Sequence, residues 1–327
     1  MNQVRCFILK MIMYLPKKLW LFLLNILNID RSLQFYFPNI FHLRDRYLWK
    51  IKVFFPIIGA DISFRKFVTS NIPIDIVIPT IDKDFEMLDI VLESVRLNIW
   101  HPINKIYIVS NENITGILDF CKLHSCYFVN EANIFSYSKN DINYFVNGEN
   151  RSGWLYQQLL KLALDKYTEC DNTLVLDSDT LFLKPKIFLL DGKTIFDQSD
   201  ELHYPYFEVF HKLTGFRIKP IASFVSHYML FNKQILAQLK LKIEKNTKLP
   251  WDKAIIANTD YSTGAGFSEY ETYGNYYKIT NRKNMIMNYW FNTSKLESVN
   301  KISKSFSNHA YDRTNINKVK EILRYEQ

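Results

Sequence analysis

Asp177-Ser178-Asp179 carries the sharpest chemical signal in this chain of 327 residues. It follows an apolar run, Thr173-Leu174-Val175-Leu176, and precedes Leu181-Phe182-Leu183-Lys184-Pro185. Asp-Ser-Asp alone is ordinary turn composition. At the end of a buried strand it means something else. In extended backbone, side chains two residues apart point the same way. Two carboxylates so close repel each other unless a cation lies between them. A hard divalent ion shared with a diphosphate is the fitting occupant, because such ions prefer carboxylate and phosphate oxygens. A second group stands in Arg151-Ser152-Gly153-Trp154-Leu155-Tyr156-Gln157-Gln158-Leu159-Leu160-Lys161-Leu162. Trp154, Gln157, Gln158 and Lys161 share one helical side, and Leu155, Leu159 and Leu162 form the core stripe. Arg151 and Lys161 suit phosphate and Gln157 suits a base or ribose, whereas Gln158 reads as solvated polar surface.

The elements around these residues alternate. Ile74–Pro79 is a short β-rich run, followed by an amphipathic helix over 85–98, a strand over 105–109 and a helix over 114–123. A strand over 127–129, a helix over 154–167 and the strand over 173–176 complete the series. That order predicts an α/β fold with a mostly parallel sheet. Such sheets bind ligands beyond the carboxyl ends of their strands. Beyond residue 185 the pattern loosens. A strand-like run over 223–231 contains His227, and helices are expected near 232–244 and 252–258. The segment 260–267, with Gly264 and Gly266, reads as a mobile loop able to close over a ligand.

Composition narrows the class. Nine Gly and ten Pro exclude collagen-like and low-complexity chains. Four cysteines are too few and too scattered for a disulfide scaffold or a zinc cluster. The net charge of +8 lies wholly in residues 1–73, which hold 11 Lys and Arg against 3 Asp and Glu. The remaining residues balance, so the charge does not point to nucleic acid. Residues 17–29 form an apolar stretch with Lys18, Asn25 and Asn28 on one helical side, too short to span a bilayer of about 20 residues. Basic and aromatic residues interleave over 35–55. The expectation is a helical leader, 1–73, lying on an anionic membrane surface, ahead of a catalytic domain, 74–327. No small-residue cleavage site follows the apolar run. The expected location is the cytoplasmic face of the cell membrane. The alternative is a leader that packs on the domain or on a partner chain. No Walker A loop, Gly-x-Gly-x-x-Gly, Gly-x-Ser-x-Gly, His-Glu-x-x-His or zinc-spaced cysteine pair occurs.

Ile76-Val77-Ile78-Pro79-Thr80, with the Asp177 motif about a hundred residues on, resembles the GT-A glycosyltransferases. Four strings resemble more closely a bacterial glycosyltransferase-like family associated with surface polysaccharide. They are residues 151–162, the Asp177 motif, Ser226-His227-Tyr228-Met229-Leu230-Phe231, and Ser268-Glu269-Tyr270-Glu271-Thr272-Tyr273-Gly274. The resemblance covers roughly 74–312 and not the leader. It implies a nucleotide-binding half, 74–185, and an acceptor half, 186–327. It also implies Mn²⁺ or Mg²⁺ on Asp177 and Asp179, a nucleotide-sugar donor, and a glycan or lipid-linked acceptor. Donor contacts fall to Thr80, Asp82, Arg151, Gln157, Lys161 and Asp177. His309 is the implied third metal ligand, and His227 and Glu271 are implied on the acceptor side. An inverting transfer needs a base for the acceptor hydroxyl. Ser268-x-x-Glu271 reads as a capping box, which occupies Glu271 and leaves Glu269 free as that base. A sugar-nucleotide pyrophosphorylase is the alternative, but Pro79–Asp84 lacks the glycines of its phosphate loop. A non-catalytic scaffold of the polysaccharide machinery is the other.

Overall fold

The computed structural model describes residues 69–199, 201–220, 222–289, 292–293 and 305–307. The leader segments 17–29 and 35–55, and His309, lie outside the described residues. In chain order the first half runs β1 (Ile74–Pro79), α1 (Leu88–Asn98), β2 (Ile103–Ser110), α2 (Ile117–Leu123) and β3 (Tyr127–Asn130). A hairpin of β4 (Phe145–Val146) and β5 (Glu149–Asn150) leads into α3 (Ser152–Leu162), β6 (Asn172–Leu176) and β7 (Thr180–Phe182). The second half holds β8 (Leu189–Leu190), β9 (Lys193–Gln198), α4 (Tyr204–Thr214), β10 (Tyr228–Asn232), α5 (Lys233–Thr247), α6 (Trp251–Asn258) and α7 (Glu269–Thr280). Strands β11 (Met285–Tyr289), β12 (Asn292–Thr293) and β13 (Ser305–Ser307) follow.

The central sheet has the order β10-β6-β1-β2-β3. Its strands are parallel except β10, which runs antiparallel to β6. Strand β1 is buried at every position, as a central parallel strand covered on both faces must be. Alternate residues feed two apolar layers. Ile74, Ile76, Ile78, Ile106, Ile108 and Leu174 pack with the buried residues of α1 and α2. Val77, Val109 and Val175 pack with those of α3, α4, α5 and α7. Asp75 faces the interior but is satisfied: its carboxylate accepts from Asn104 Nδ2 at 2.9 Å and from the backbone N–H groups of Glu169 and Cys170 at 2.6 and 2.7 Å. These bonds tie the start of β1 to the turn entering β6.

The expected α/β class with a mostly parallel sheet is therefore the observed one. Two local expectations differ. The helix over 85–98 divides into a 3-10 turn at 82–87 and α1. The run 223–231 is strand only from Tyr228 onward, because His227 takes a left-handed conformation with φ of +59° and breaks the alternation. Among the described residues no helix is long and apolar enough to cross a membrane.

Candidate active site

Strand β6 ends at Leu176, and Asp177–Asp179 form the turn into β7, with Thr180 N donating to Asp177 O at 3.0 Å. The backbone N–H of Asp177 donates to the carbonyl of His227 at 2.9 Å, so the motif starts against the left-handed residue. A non-glycine residue held in that region is strained, and such strain collects where side chains must be aimed. Here it aims the imidazole: His227 Nδ1 lies 3.1 Å from Asp177 Oδ2, and Nε2 lies 3.6 Å from Glu201 Oε1.

The other Asp177 oxygen belongs to Lys161. This lysine is 1% exposed at the end of α3. Its Nζ donates to Asp177 Oδ1 at 2.5 Å and to Glu269 Oε1 at 2.7 Å, and it lies 4.6 Å from the centre of the Tyr270 ring. Tyr270 OH donates to Asp177 Oδ1 at 3.0 Å. The Gln158 amide, also buried, lies against the Glu269 carboxylate, and turned end for end it donates to that carboxylate. Burial opposes the Asp177 charge, but Lys161 and His227 outweigh it and hold this carboxyl well below the usual carboxylate range. Burial likewise opposes the imidazolium, but the bonds to Asp177 and Glu201 raise His227 to about 10. The pairing with Asp177 and Glu269 keeps Lys161 protonated despite its burial.

Asp179 stands in the opposite condition. Burial and the neighbouring Asp177 charge push it up to about 6, and Asp84 adds to the effect. Ser178 Oγ donates to Asp84 Oδ2 at 3.2 Å, bringing a third carboxylate to the turn. Counted as ionised, Asp84, Asp177, Asp179, Glu201 and Glu269 outnumber Lys161 and His227 by three charges. Oxygen donors with surplus negative charge are what a hard divalent ion requires. Among the described residues no three His, Cys, Asp or Glu side chains converge closely enough to hold a metal by themselves. The donor set thus fits an ion completed by ligand oxygens.

Beside this turn a cavity of about 200 Å³ opens at the carboxyl ends of β1, β2 and β3. Thr80, Asp82, Asn111 and Glu131 are among its lining residues. Thr80 is buried, with Oγ1 donating to Ile78 O at 3.3 Å, while Asp82 is exposed at the rim. Gln157 Nε2 donates to Pro79 O at 3.4 Å, at the end of β1.

Several expected roles meet a different geometry. Glu269 is not free: it is 1% exposed, and Lys161 and Gln158 occupy its oxygens. An acceptor hydroxyl has no approach to it in this arrangement. Glu271 is 0% exposed, so it contacts no acceptor either. Ser268 Oγ accepts from Glu271 N at 3.1 Å, which is half of the expected capping box. The glutamate side chain turns away and accepts from Ser223 Oγ, Phe224 N and Asn275 Nδ2 at 2.6, 2.9 and 2.6 Å. Its burial raises it to about 7. Gln158 is interior rather than solvated, and Lys161 is buried against Asp177 and Glu269 rather than presented to phosphate. Arg151 is occupied, with Nε donating to Gly264 O at 2.8 Å and the guanidinium over Trp154. The loop expected to be mobile is also held by Tyr144, whose OH donates to Thr263 O and accepts from Gly266 N at 2.9 Å. Tyr270, Asp84 and Glu201 escaped the reading of the sequence. Only the neighbourhood of Tyr270 to Glu269 hinted at any of them.

A model of a family of unknown function (DUF6492) matches residues 71–319, and the chain belongs to that family. No curated protein matches the chain by sequence. Among solved structures, apo mouse xyloside xylosyltransferase 1 is similar at 12% identity and a TM-score of 0.42, covering 73% of this chain and 98% of that one. The galactosyltransferase LgtC, in complex with donor and acceptor sugar analogs, is similar at 13% identity and 0.39, covering 77% and 96%. Glucosyl-3-phosphoglycerate synthase from Mycobacterium tuberculosis, in complex with Mn²⁺, UDP and glucosyl-3-phosphoglycerate, is similar at 8% and 0.36, covering 78% and 77%.

Proposed function

We propose that this member of the family is a GT-A-type glycosyltransferase. It moves a sugar from a nucleotide-sugar donor to a hydroxyl of a glycan or lipid-linked acceptor in bacterial surface polysaccharide synthesis. The observation that carries the reading is the Asp177–Asp179 turn. It lies at the carboxyl end of β6, oriented by buried Lys161 and His227, beside a cavity at the ends of the parallel strands. Open parallel sheets bind their ligands there. Asp177 and Asp179 are the residues that would hold Mn²⁺ or Mg²⁺. The chemistry such an ion would supply there is positive charge for the leaving diphosphate.

The chain's own groups divide the remaining work. Lys161 fixes the Asp177 carboxylate in one rotamer by a 2.5 Å bond, and Tyr270 closes the same oxygen. Glu269 holds Lys161 in place, and its role is positioning rather than proton transfer. His227, charged and bonded to Asp177, borders the acceptor side. Thr80, Asp82 and Gln157 border the donor side at the end of β1. Arg151 acts through the 260–266 loop, which it holds at Gly264. The leader, 1–73, adds a basic, aromatic surface for anionic lipid, in which each basic residue near the headgroups contributes about 1 kcal/mol. Flotation with anionic vesicles that falls as salt rises supports that part, and equal recovery on neutral lipid removes it.

Mn²⁺-dependent hydrolysis of a panel of nucleotide-sugars tests the central claim. Release of the nucleoside diphosphate from one donor, lost on chelation, is the expected result. No hydrolysis, and no nucleotide binding by calorimetry, would remove the enzyme reading.

A further inference from the structure

The cavity at the ends of β1–β3 has a lining of its own, separate from the Asp177 turn. Ile81 and Ile114 supply apolar walls, the first 39% exposed and the second 7%. A flat ring can lie between such walls. The polar groups are unevenly disposed. Glu131 opens the 3-10 turn after β3, with its side chain only 12% exposed. Burial raises its carboxyl, and Lys139 and an Asn111 hydrogen bond offset only part of that. Lys139 Nζ stands 3.9 Å from Glu131 Oε1, an ion pair too long for a hydrogen bond. The lysine is 45% exposed, so it can move onto a ligand. Ser110 is spent as a donor, because its hydroxyl proton goes to Thr80 O at 2.7 Å.

A desolvated carboxylate that keeps lone pairs beyond its Asn111 bond, next to an ammonium, reads the edge of a flat ring in the order donor, acceptor, acceptor. The four nucleobases answer that order differently. Guanine offers O6 to the ammonium, then N1–H and the N2 amino group to the two carboxylate oxygens, so every group is matched. Uracil offers one N–H flanked by two carbonyls, and one carbonyl must then face a carboxylate oxygen. Cytosine and adenine each present one amino group beside a ring nitrogen lone pair, which again meets negative charge. A buried polar group left facing its like is costly, and this is how such sites reject the wrong partner. We infer that this cavity selects a guanine nucleotide, with Glu131 reading N1–H and N2 and Lys139 reading O6, so that the donor is a GDP-sugar. This rests on the glycosyltransferase reading and goes beyond it to the class of donor.

The test is calorimetry on the full chain with Mn²⁺ and GDP, IDP, UDP, CDP or ADP. GDP should bind at least about 10-fold tighter than the other four, from the usual range for a bidentate contact. IDP lacks only the N2 amino group, so it isolates one of the two carboxylate bonds. Glu131→Gln should weaken GDP by about 10–100-fold, leave UDP within about twofold, and erase the preference for GDP over IDP. Lys139→Met should weaken GDP and IDP equally, since both keep O6. A thermal melt of each variant confirms that it is folded. UDP binding as tightly as GDP would overturn the base assignment and leave the glycosyltransferase reading standing. An equal loss of GDP and UDP in Glu131→Gln would make Glu131 a ribose contact, which overturns the inference. Failure of all five nucleotides to bind would remove both readings together.

Discussion

Lys161→Met is the most informative single change, because the structure fixes what it leaves behind. The ammonium is the shared partner of Asp177 Oδ1 and Glu269 Oε1, and the Lys161 and Glu269 side chains are 2% and 1% exposed. Methionine keeps most of the aliphatic volume, so packing is nearly conserved. What remains is two carboxylates with no cation between them, one wholly buried. Removing one partner of a buried pair costs about 3–5 kcal/mol. A domain of this kind holds about 5–15 kcal/mol in total, so the variant should stay folded with a large loss. Glu269→Gln should cost about 1–2 kcal/mol, since the amide oxygen still accepts from Lys161 and Asp177 still balances the ammonium. The double variant should be better than the sum of the two by about 1–3 kcal/mol, because the second change removes the charge that the first exposed. The sign with pH follows. In Lys161→Met the folded state raises the carboxyl pKa values, so the folded state binds more protons than the unfolded chain. Stability then falls as pH rises, and the deficit against wild type is smaller at pH about 5 than at pH about 8. Urea unfolding of the four proteins at both pH values measures this. A Lys161→Met loss below about 1 kcal/mol, or strict additivity in the double variant, would refute the claim that Lys161 is the electrostatic keystone of the turn.

Asp179→Asn should abolish Mn²⁺-dependent nucleotide binding by calorimetry, yet raise the melting temperature in chelator, because it removes a charge repelled by Asp177 and Asp84. Glu271, raised to about 7 by burial, stabilises the fold most below the ordinary glutamate value of 4.5 and loses that contribution as pH rises through about 7. The loss is on the order of 3 kcal/mol. Glu271→Gln should flatten the stability profile across that window in urea titrations, and an unchanged slope would discount the shift. In Gly274→Ala the new Cβ would stand 2.5 Å from the Phe224 ring, so the 223–227 segment must shift at about 1–3 kcal/mol. Denaturant unfolding measures that cost, and nucleotide binding should weaken with it through displacement of His227.

The sequence exposed the scaffold better than the wiring. Strands such as Ile74–Pro79 and Asn172–Leu176 are legible because burial on both faces demands nearly continuous β-branched and aliphatic runs, broken in the first only by the internally bonded Asp75. The Asp177 motif was legible because it ends such a run. Gln158 was misread as solvated surface, and Lys161 as a phosphate contact, for a definable reason. Helical amphipathicity assigns polar residues to solvent, yet here the opposing surface is itself polar, made by Asp177 and by Glu269, 108 residues from Lys161 along the chain. Nothing local records that distant complement. Glu271 failed in the same way. The capping rule is local, three residues long, and its geometry appeared only at Ser268, while the carboxylate was claimed by Ser223 and Phe224. His227 was singled out, but its left-handed conformation was not legible, because no residue-type rule marks such a histidine inside an apolar run.

The asymmetry between the two motif aspartates has a physical consequence for any ion they bind. Asp177 is already compensated on both oxygens, by Lys161 with Tyr270 on one and by His227 on the other. It therefore keeps one geometry with or without a ligand, and little reorganisation is needed at its side of the turn. Asp179 has burial, Asp177 and Asp84 acting against its charge, with His227 as the opposing influence. A cation arriving there would relieve the repulsion among these carboxylates. Binding energy at a divalent site is thus concentrated on the residue with the most to gain, while orientation is supplied by the residue with the least freedom to move. Electrostatic preorganisation requires that division, since fixed charges act on a ligand without first being turned toward it.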